Sequence, residues 1–174
     1  YNYLDSGSMY RAVTLFAIDN GFFNFNDFNF EQFKNILRRV KFDFKDKYNS
    51  LLFNKEVLSK NIRSHEVSEK VSQIAKIPFV RLFVLNQLRS LILPKGLIIE
   101  GRDIGTVVFP NADYKFFFTG SIDLRAERRW NEMKEKGIKI SKEEVRKNLD
   151  LRDKTDVERN ISPLMKADDA IEVD

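Results

Sequence analysis

The stretch LIIEGRDIG, residues 97–105, decides the fold class of this chain. Its first three residues are apolar and mostly β-branched, which is typical of a short strand covered on both faces of a parallel sheet. A polar turn with two glycines follows directly, from Glu100 to Gly105. Because ligands of open α/β sheets gather outside the carboxyl ends of the strands, this turn is a candidate binding site.

Outward from this stretch, strand-like and helix-like segments alternate, which favours an α/β fold with a mostly parallel sheet flanked by helices. Asp5 and Ser6 can cap a first helix, Ser121 can cap a very basic one, and Ser141 stands three residues before a glutamate, the spacing of a capping box. Residues 25–63 differ. Apolar and charged residues alternate from residue 40, and the pattern predicts a small antiparallel sheet with a turn at residues 48–50.

The composition excludes several classes of protein. Of the 174 residues 43% are hydrophobic and 32% are charged, so collagen-like, low-complexity and wholly disordered chains are excluded. There is no cysteine and one histidine, His65, to which we assign no role, so disulfides and thiolate metal sites are excluded. No apolar run approaches the roughly 18 residues of a membrane helix. A cytoplasmic protein that binds no membrane is expected.

The formal net charge of +4 suits small anionic ligands better than nucleic acid. Ser6 lies at the start of a predicted helix and Arg11 one turn in, which is suitable chemistry for an anionic oxygen group. Arg102 and Asp103 lie on a glycine-flanked turn, where a ligand can approach the backbone. Taken alone, each segment is more often an ordinary helix cap or an ordinary turn than a binding site.

Two groups of charged residues each share one face of a predicted helix. They could be solvated surface with ordinary salt bridges, or they could clamp phosphoryl groups, because guanidinium forks bind phosphate oxygens bidentately. The residues alone leave both readings open. The first group is Arg125, Arg128 and Arg129, and the second is Arg152, Asp156 and Arg159.

Taken together and in order, these motifs resemble those of bacterial-type cytidylate kinases, which are nucleoside monophosphate kinases. The strongest match is EGRDIGTVVFP at residues 100–110, and the similarity extends over nearly the whole chain. The other matching segments are LDSGSMYRA at 4–12, the E-V…V-S-x-I-A…P-x-V-R pattern at 66–81, RAERR at 125–129, and the R-D-x-x-D-x-x-R pattern at 152–159 with its continuation to residue 170.

The resemblance implies the fold of a P-loop kinase: a parallel-sheet core flanked by helices, with a small α+β insert and a helical lid. The core would comprise residues 1–24 and 77–174 and would be incomplete at both ends. The lid would cover about residues 121–138, and the CMP-binding insert would be residues 25–76.

The resemblance also implies transfer of the γ-phosphoryl group of ATP to CMP or dCMP in pyrimidine nucleotide metabolism, with Mg²⁺, by a monomer.

Residues matching those that hold the cytosine edge are Ser72, Arg81 and Asp103. Residues matching those around the acceptor phosphate are Ser6, Arg11 and Arg102. Residues matching contacts to the sugar and nearby nucleotide are Arg152, Asp156 and Arg159. The lid arginines that would approach the ATP phosphates are Arg125, Arg128 and Arg129. Of all these, the residues expected to act in catalysis are Arg102, Arg125, Arg128, Arg129 and Arg152. No protein ligand to a metal is assigned.

The largest departure from the family pattern is that G-x-x-x-x-G-K-[ST], the phosphate loop that cradles ATP, occurs nowhere in these 174 residues. We expect that loop to precede Tyr1, and we expect no phosphoryl transfer without it. The ATP-binding residues therefore stay unassigned. Within the insert, Lys55 stands where the family has a turn glycine and Val57 where it has an aspartate.

Two other functions stay open on the sequence. One is a nucleoside monophosphate kinase that prefers UMP. The other is a non-catalytic nucleotide-binding or RNA-binding module derived from such a kinase. Nucleic-acid binding as the main role is disfavoured, because 26 acidic residues offset 30 basic ones.

Overall fold

The computed structural model describes residues 1–23, 29–45, 50–57, 60–90, 96–135 and 137–174. The chain forms two compact units, Tyr1–Ile104 and Gly105–Asp174. The predicted boundaries of the insert, residues 25–76, stay a prediction, and residues 48 and 49 of the predicted turn lie outside the described residues. The described elements are, in chain order, β1 (Asn2–Asp5), α1 (Ser6–Asp19), α2 (Phe30–Leu37), β2 (Phe42–Lys45), β3 (Ser50–Phe53), β4 (Glu56–Val57), a 3₁₀ turn (Lys60–Arg63), α3 (His65–Ala75), α4 (Pro78–Ser90), β5 (Leu97–Glu100), a π-helical turn (Ile104–Val108), β6 (Phe116–Phe118), α5 (Ile122–Glu135), α6 (Lys142–Glu158) and β7 (Ile171–Val173).

The predicted α/β class is confirmed by the strand pairing. In the first unit β1 pairs with β5 in parallel, with Asp5 opposite Glu100 at the carboxyl ends. In the second unit β6 pairs with β7, also in parallel. The predicted small antiparallel sheet is present as β2, β3 and β4.

One expectation about β5 is wrong. The strand was expected to be covered on both faces, yet Ile98 is 54% exposed and burial alternates along the strand. In the described residues β5 pairs only with β1, so the sheet here has two strands. The apolar run of residues 97–99 therefore indicated a strand correctly but overstated its burial.

Helices form where apolar residues recur at helical spacing. On α1 the buried stripe includes Met9, Val13 and Ala17, and the helix ends before Gly21, whose φ of 73° is accessible to glycine without strain. On α4 the stripe includes Val80 and Val84, both completely buried. Within the first unit α1 packs against α3 and α4, and these apolar faces form its core.

The second unit is built on a helical pair. α5 and α6 pack together, and Trp130 Nε1 of α5 donates to the carbonyl of Ile140, which precedes α6, at 3.0 Å. The predicted capping box at the start of α6 is present: Ser141 Oγ accepts from Glu144 N at 3.2 Å, and the Glu144 carboxylate accepts from Ser141 N. The hydrogen bonds of Ser141 hold the pKa of Glu144 below its usual range.

Candidate active site

The first candidate region lies where β1 ends and α1 begins. Asp5 caps α1, because its side chain accepts from Gly7 N at 2.8 Å. Ser6 is only 4% exposed, and its hydroxyl donates to the Glu100 carbonyl at 2.8 Å. That bond joins the first residue of the helix to the end of β5. The turn after β5 and the amino end of α1 are therefore held together, as the sequence predicted from strand topology.

Gly101 fills a position in this region that no larger residue can take. A Cβ there would lie within 3 Å of the Ser6 hydroxyl and of the Ile104 side chain. The backbone of the turn thus passes directly over the start of α1. Arg102 follows on the same turn and is half-buried.

A buried ion pair follows two residues after this glycine. Arg81 of α4 and Asp103 are 5% and 7% exposed, and Arg81 Nη2 donates to Asp103 Oδ2 at 2.5 Å. Arg81 Nη1 donates to the Ala75 carbonyl at the end of α3, at 3.2 Å. Arg81 Nε has no hydrogen-bond partner among the described residues. One donor of a buried guanidinium therefore has no acceptor among the described residues.

Ser72 lies on α3 one turn before Ala75 and is half-buried. The structure thus brings Arg81 and Asp103 into contact and places Ser72 on α3, the helix whose last residue accepts from Arg81.

Arg11 connects α1 to the residues that follow β4. Its Nη1 donates to Ser68 Oγ at 3.0 Å and to the Ile62 carbonyl at 3.3 Å. Arg63, which sequence reasoning gave no role, forms an ion pair with Asp5 at 3.2 Å. No spacing rule connects Arg63 to this partner, which lies 58 residues away along the chain.

Tyr3 and Glu100 meet at the ends of β1 and β5. Partial desolvation of the Tyr3 hydroxyl and its hydrogen bond to the Glu100 side chain raise the pKa of Tyr3 to about 12. The carboxylates of Glu100 and Asp5 add to this by repelling the phenolate. This edge of the sheet therefore carries negative charge beside the amino end of α1.

The second unit carries the predicted lid arginines, and each is in a different situation. Arg125 Nη1 donates to Asp153 Oδ2 of α6 at 2.5 Å, and its Nε donates to the Gly120 carbonyl at 3.0 Å. Arg129 pairs with Glu132 at 3.0 Å, within the helix. Arg128 is exposed. The shared helix face predicted from the i, i+3, i+4 spacing is thus divided between two carboxylates and solvent.

The group at the end of α6 converges on one carboxylate. Asp156 is 9% exposed and pairs with Arg159 Nη1 at 3.1 Å and with Arg152 Nε at 4.0 Å. Arg159 Nε also donates to the Ser162 carbonyl at 2.5 Å. Arg152 and Asp156 share a face of α6 as predicted, whereas Arg159 follows the last residue of the helix with extended backbone and reaches the same carboxylate from there.

Two further observations concern the described residues. No group of three histidine, cysteine, aspartate or glutamate side chains in the described ranges could hold a metal ion. In the same part of the chain, no helix has the length and apolar character that spanning a membrane requires.

Comparison with known proteins agrees with this fold. The family model described as cytidylate kinase matches residues 1–174. A cytidylate kinase of Flavobacterium johnsoniae is 43% identical over 180 residues, which cover 100% of this chain and 77% of that protein. Cytidylate kinases of Bacteroides thetaiotaomicron and Clostridioides difficile are 42% and 41% identical, covering 100% and 99% of this chain and 78% of each relative.

The class defined by the α/β fold and by these matches is that of the P-loop nucleoside monophosphate kinases, which are phosphotransferases. Within that class, this chain belongs to the cytidylate kinase family.

Proposed function

We propose that this protein transfers the γ-phosphoryl group of ATP to CMP or dCMP. The observation that carries the proposal is the buried pair of Arg81 and Asp103. A cytosine edge presents an exocyclic amine, which a carboxylate accepts from, beside a ring nitrogen and a carbonyl, which a guanidinium donates to. Uracil presents a carbonyl where cytosine has the amine, and that carbonyl would face the Asp103 carboxylate. The pair therefore favours cytosine as the base.

The acceptor phosphate is proposed to bind at the amino end of α1. Helix amino ends attract anions through their free N–H groups and the helix dipole. Ser6 is the first residue of that helix, Arg11 lies one turn later, and Arg102 lies on the turn that the Ser6 hydroxyl holds in place. Arginine suits this role because its guanidinium stays charged and binds phosphate oxygens in pairs.

In the second unit, Arg152 and Asp156 are proposed to hold the sugar hydroxyls, with Arg159 bonded to the same carboxylate. Asp156 can accept from a hydroxyl, and Arg152 can donate to one. The arginines proposed to approach the ATP phosphates are Arg125, Arg128 and Arg129.

The proposed mechanism needs no strong general base, because the acceptor is already a phosphate oxygen that is nucleophilic at neutral pH. The protein aligns two anions and neutralises the charge that develops between them. One well-placed arginine contributes roughly 10³-fold or more in related phosphoryl transfers. Exclusion of water by the basic helix would suppress hydrolysis of ATP. We expect a monomer that acts on small nucleotides and binds neither nucleic acid nor membranes.

The test has a binding arm and a turnover arm. Titration calorimetry with CMP, dCMP, UMP and AMP measures base selectivity without any donor nucleotide. Production of ADP with ATP, Mg²⁺ and each acceptor measures transfer. We expect CMP and dCMP to bind more tightly than UMP by at least tenfold, the difference produced by about 1.4 kcal/mol. Equal affinity for UMP would overturn the base assignment. Selective binding with no ADP produced, by a protein that carries the phosphate loop, would instead favour the non-catalytic alternative.

A further inference from the structure

The guanidinium of Arg81 is held on three sides. Its Nη2 donates to Asp103 and its Nη1 donates to the Ala75 carbonyl. The ring of Tyr10, from α1, lies over the guanidinium, with 5.6 Å from Arg81 Cζ to the ring centroid. Sequence analysis gave Tyr10 no role, because its distance from Arg81 along the chain is 71 residues and no spacing rule connects them.

The two hydrogen bonds fix the guanidinium incompletely. They anchor Nη1 and Nη2, but the group can still rock about the line that joins these two nitrogens. Nε lies off that line, so rocking displaces Nε more than either anchored atom. Nε is also the nitrogen of Arg81 that has no hydrogen-bond partner among the described residues. The direction of the donor available to a ligand therefore depends on what limits the rocking.

The Tyr10 ring supplies that limit. An aromatic face attracts a cation through its quadrupole, so the orientation of the guanidinium that faces the ring is favoured over others. Tyr10 is half-buried, and its own carbonyl accepts from Thr14 Oγ1 at 2.8 Å in the middle of α1. The ring is thus carried by a packed helix and is well placed to define a direction.

We infer that Tyr10 is a positioning residue for base selection: its ring sets the direction in which Arg81 Nε donates. The inference rests on the proposed function, because it assigns Arg81 to the pyrimidine edge. The aromatic face is the active feature and the phenolic hydroxyl is not needed. Tyr10 therefore affects selectivity between cytosine and uracil through Arg81 rather than by a polar contact of its own.

Titration calorimetry with CMP and UMP tests this on Tyr10→Phe, Tyr10→Met and Phe16→Leu. Tyr10→Phe keeps the ring and should bind CMP within about twofold of the parent chain. Tyr10→Met fills similar space without an aromatic face. It should lower the affinity for CMP by about tenfold and the affinity for UMP by much less. Phe16 is the matched control: it is also on α1, but its ring packs on Phe53, with centroids 5.5 Å apart. Phe16→Leu should leave the ratio of the two affinities unchanged.

The ratio of the CMP and UMP affinities separates a positioning role from a structural one, since the loss of a merely structural residue would lower both affinities together. If the parent chain prefers CMP and Tyr10→Met keeps the full preference, the inference is wrong while the proposed function stands. If the parent chain shows no preference, the proposed function fails first. Nuclear Overhauser contacts between the Tyr10 ring protons and the Arg81 Nε proton, measured in the parent chain, require no folded variant. Their absence would also overturn the inference.

Discussion

The two units each contain an arginine–aspartate pair with the same N–O distance and a very different environment. Arg81 and Asp103 of the first unit are 2.5 Å apart, with side chains 6% and 9% exposed. Arg125 and Asp153 of the second unit are also 2.5 Å apart, with side chains 34% and 22% exposed. The difference shows that distance alone does not describe what an ion pair does.

Exposure to water determines how firmly each ion pair is held. Around the buried pair the effective dielectric is low, so either charge left alone would be strongly unfavourable and the geometry is held firmly. Around the half-buried pair, water competes with the carboxylate and screens the charge. The buried pair is therefore held more firmly than the half-buried one.

The largest predicted effect is therefore a difference between two aspartates. Asp103→Ala leaves the buried Arg81 charge uncompensated and should lower the free energy of unfolding by about 3–5 kcal/mol. Asp153→Ala removes the half-buried pair and should lower it by about 1 kcal/mol or less. Urea denaturation followed by circular dichroism measures both. Equal losses in the two variants would contradict the comparison.

A second prediction concerns two glycines, one from each unit. Gly101→Ala brings a methyl group against the Ser6 hydroxyl and Ile104, and should lower the free energy of unfolding by about 1–3 kcal/mol. Gly105→Ala meets only the flexible Lys115 side chain, with the nearest atom at 3.2 Å, and should have a smaller effect. Thermal unfolding of the two variants tests this. A Gly105→Ala variant as unstable as Gly101→Ala would show that close approach to α1 is not the special feature of the turn.

A third prediction uses left-handed backbone in each unit. Lys55 has a φ of 68°, so Lys55→Gly should raise the free energy of unfolding by up to about 1 kcal/mol by relieving strain. Gly137 has a φ of 72° with open space around it, so Gly137→Ala should lower it by a similar amount. Both are measured by urea denaturation. A destabilised Lys55→Gly variant would mean that the lysine contributes contacts that outweigh its backbone strain.

The smallest effect is a titration. With the pKa of Tyr3 at about 12 in the folded state and about 10 when unfolded, the folded state holds the proton more tightly. The stabilisation from this tyrosine is complete below pH 10 and is lost as the pH rises towards 12. Phenolate absorbance should show one late-titrating tyrosine that is missing in Tyr3→Phe. An unchanged titration curve in that variant would contradict the predicted contact with Glu100.

Local patterns predicted most of the elements correctly. The caps at Asp5, Ser121 and Ser141 are present because a cap is a contact between residues at most three apart. The strands beginning at residues 97 and 116 form because their apolar, branched or aromatic side chains suit a pleated surface. Burial of Ile98 was overstated, because burial depends on what packs against a strand and that information is not local.

The arginine clusters show the same division between local and distant information. Spacing along α6 placed Arg152 and Asp156 on one face, and their ion pair agrees. Spacing along α5 could not show that Arg125 would pair with Asp153, 28 residues away and on another helix. Helix periodicity fixes which residues share a face, but not what that face meets.

The sequence by itself determined the fold class, the helix caps, the family motifs and the chemical types available for binding anions, because these depend on composition and on contacts within one or two turns. Only the tertiary structure decided that Arg81 would be buried between Asp103 and the ring of Tyr10, and that Gly101 would lie against Ser6. Such contacts join residues 22 to 95 positions apart, and they exist only after helices and strands pack. Their strength depends on the exclusion of water, which is a property of the packed molecule and of no single segment.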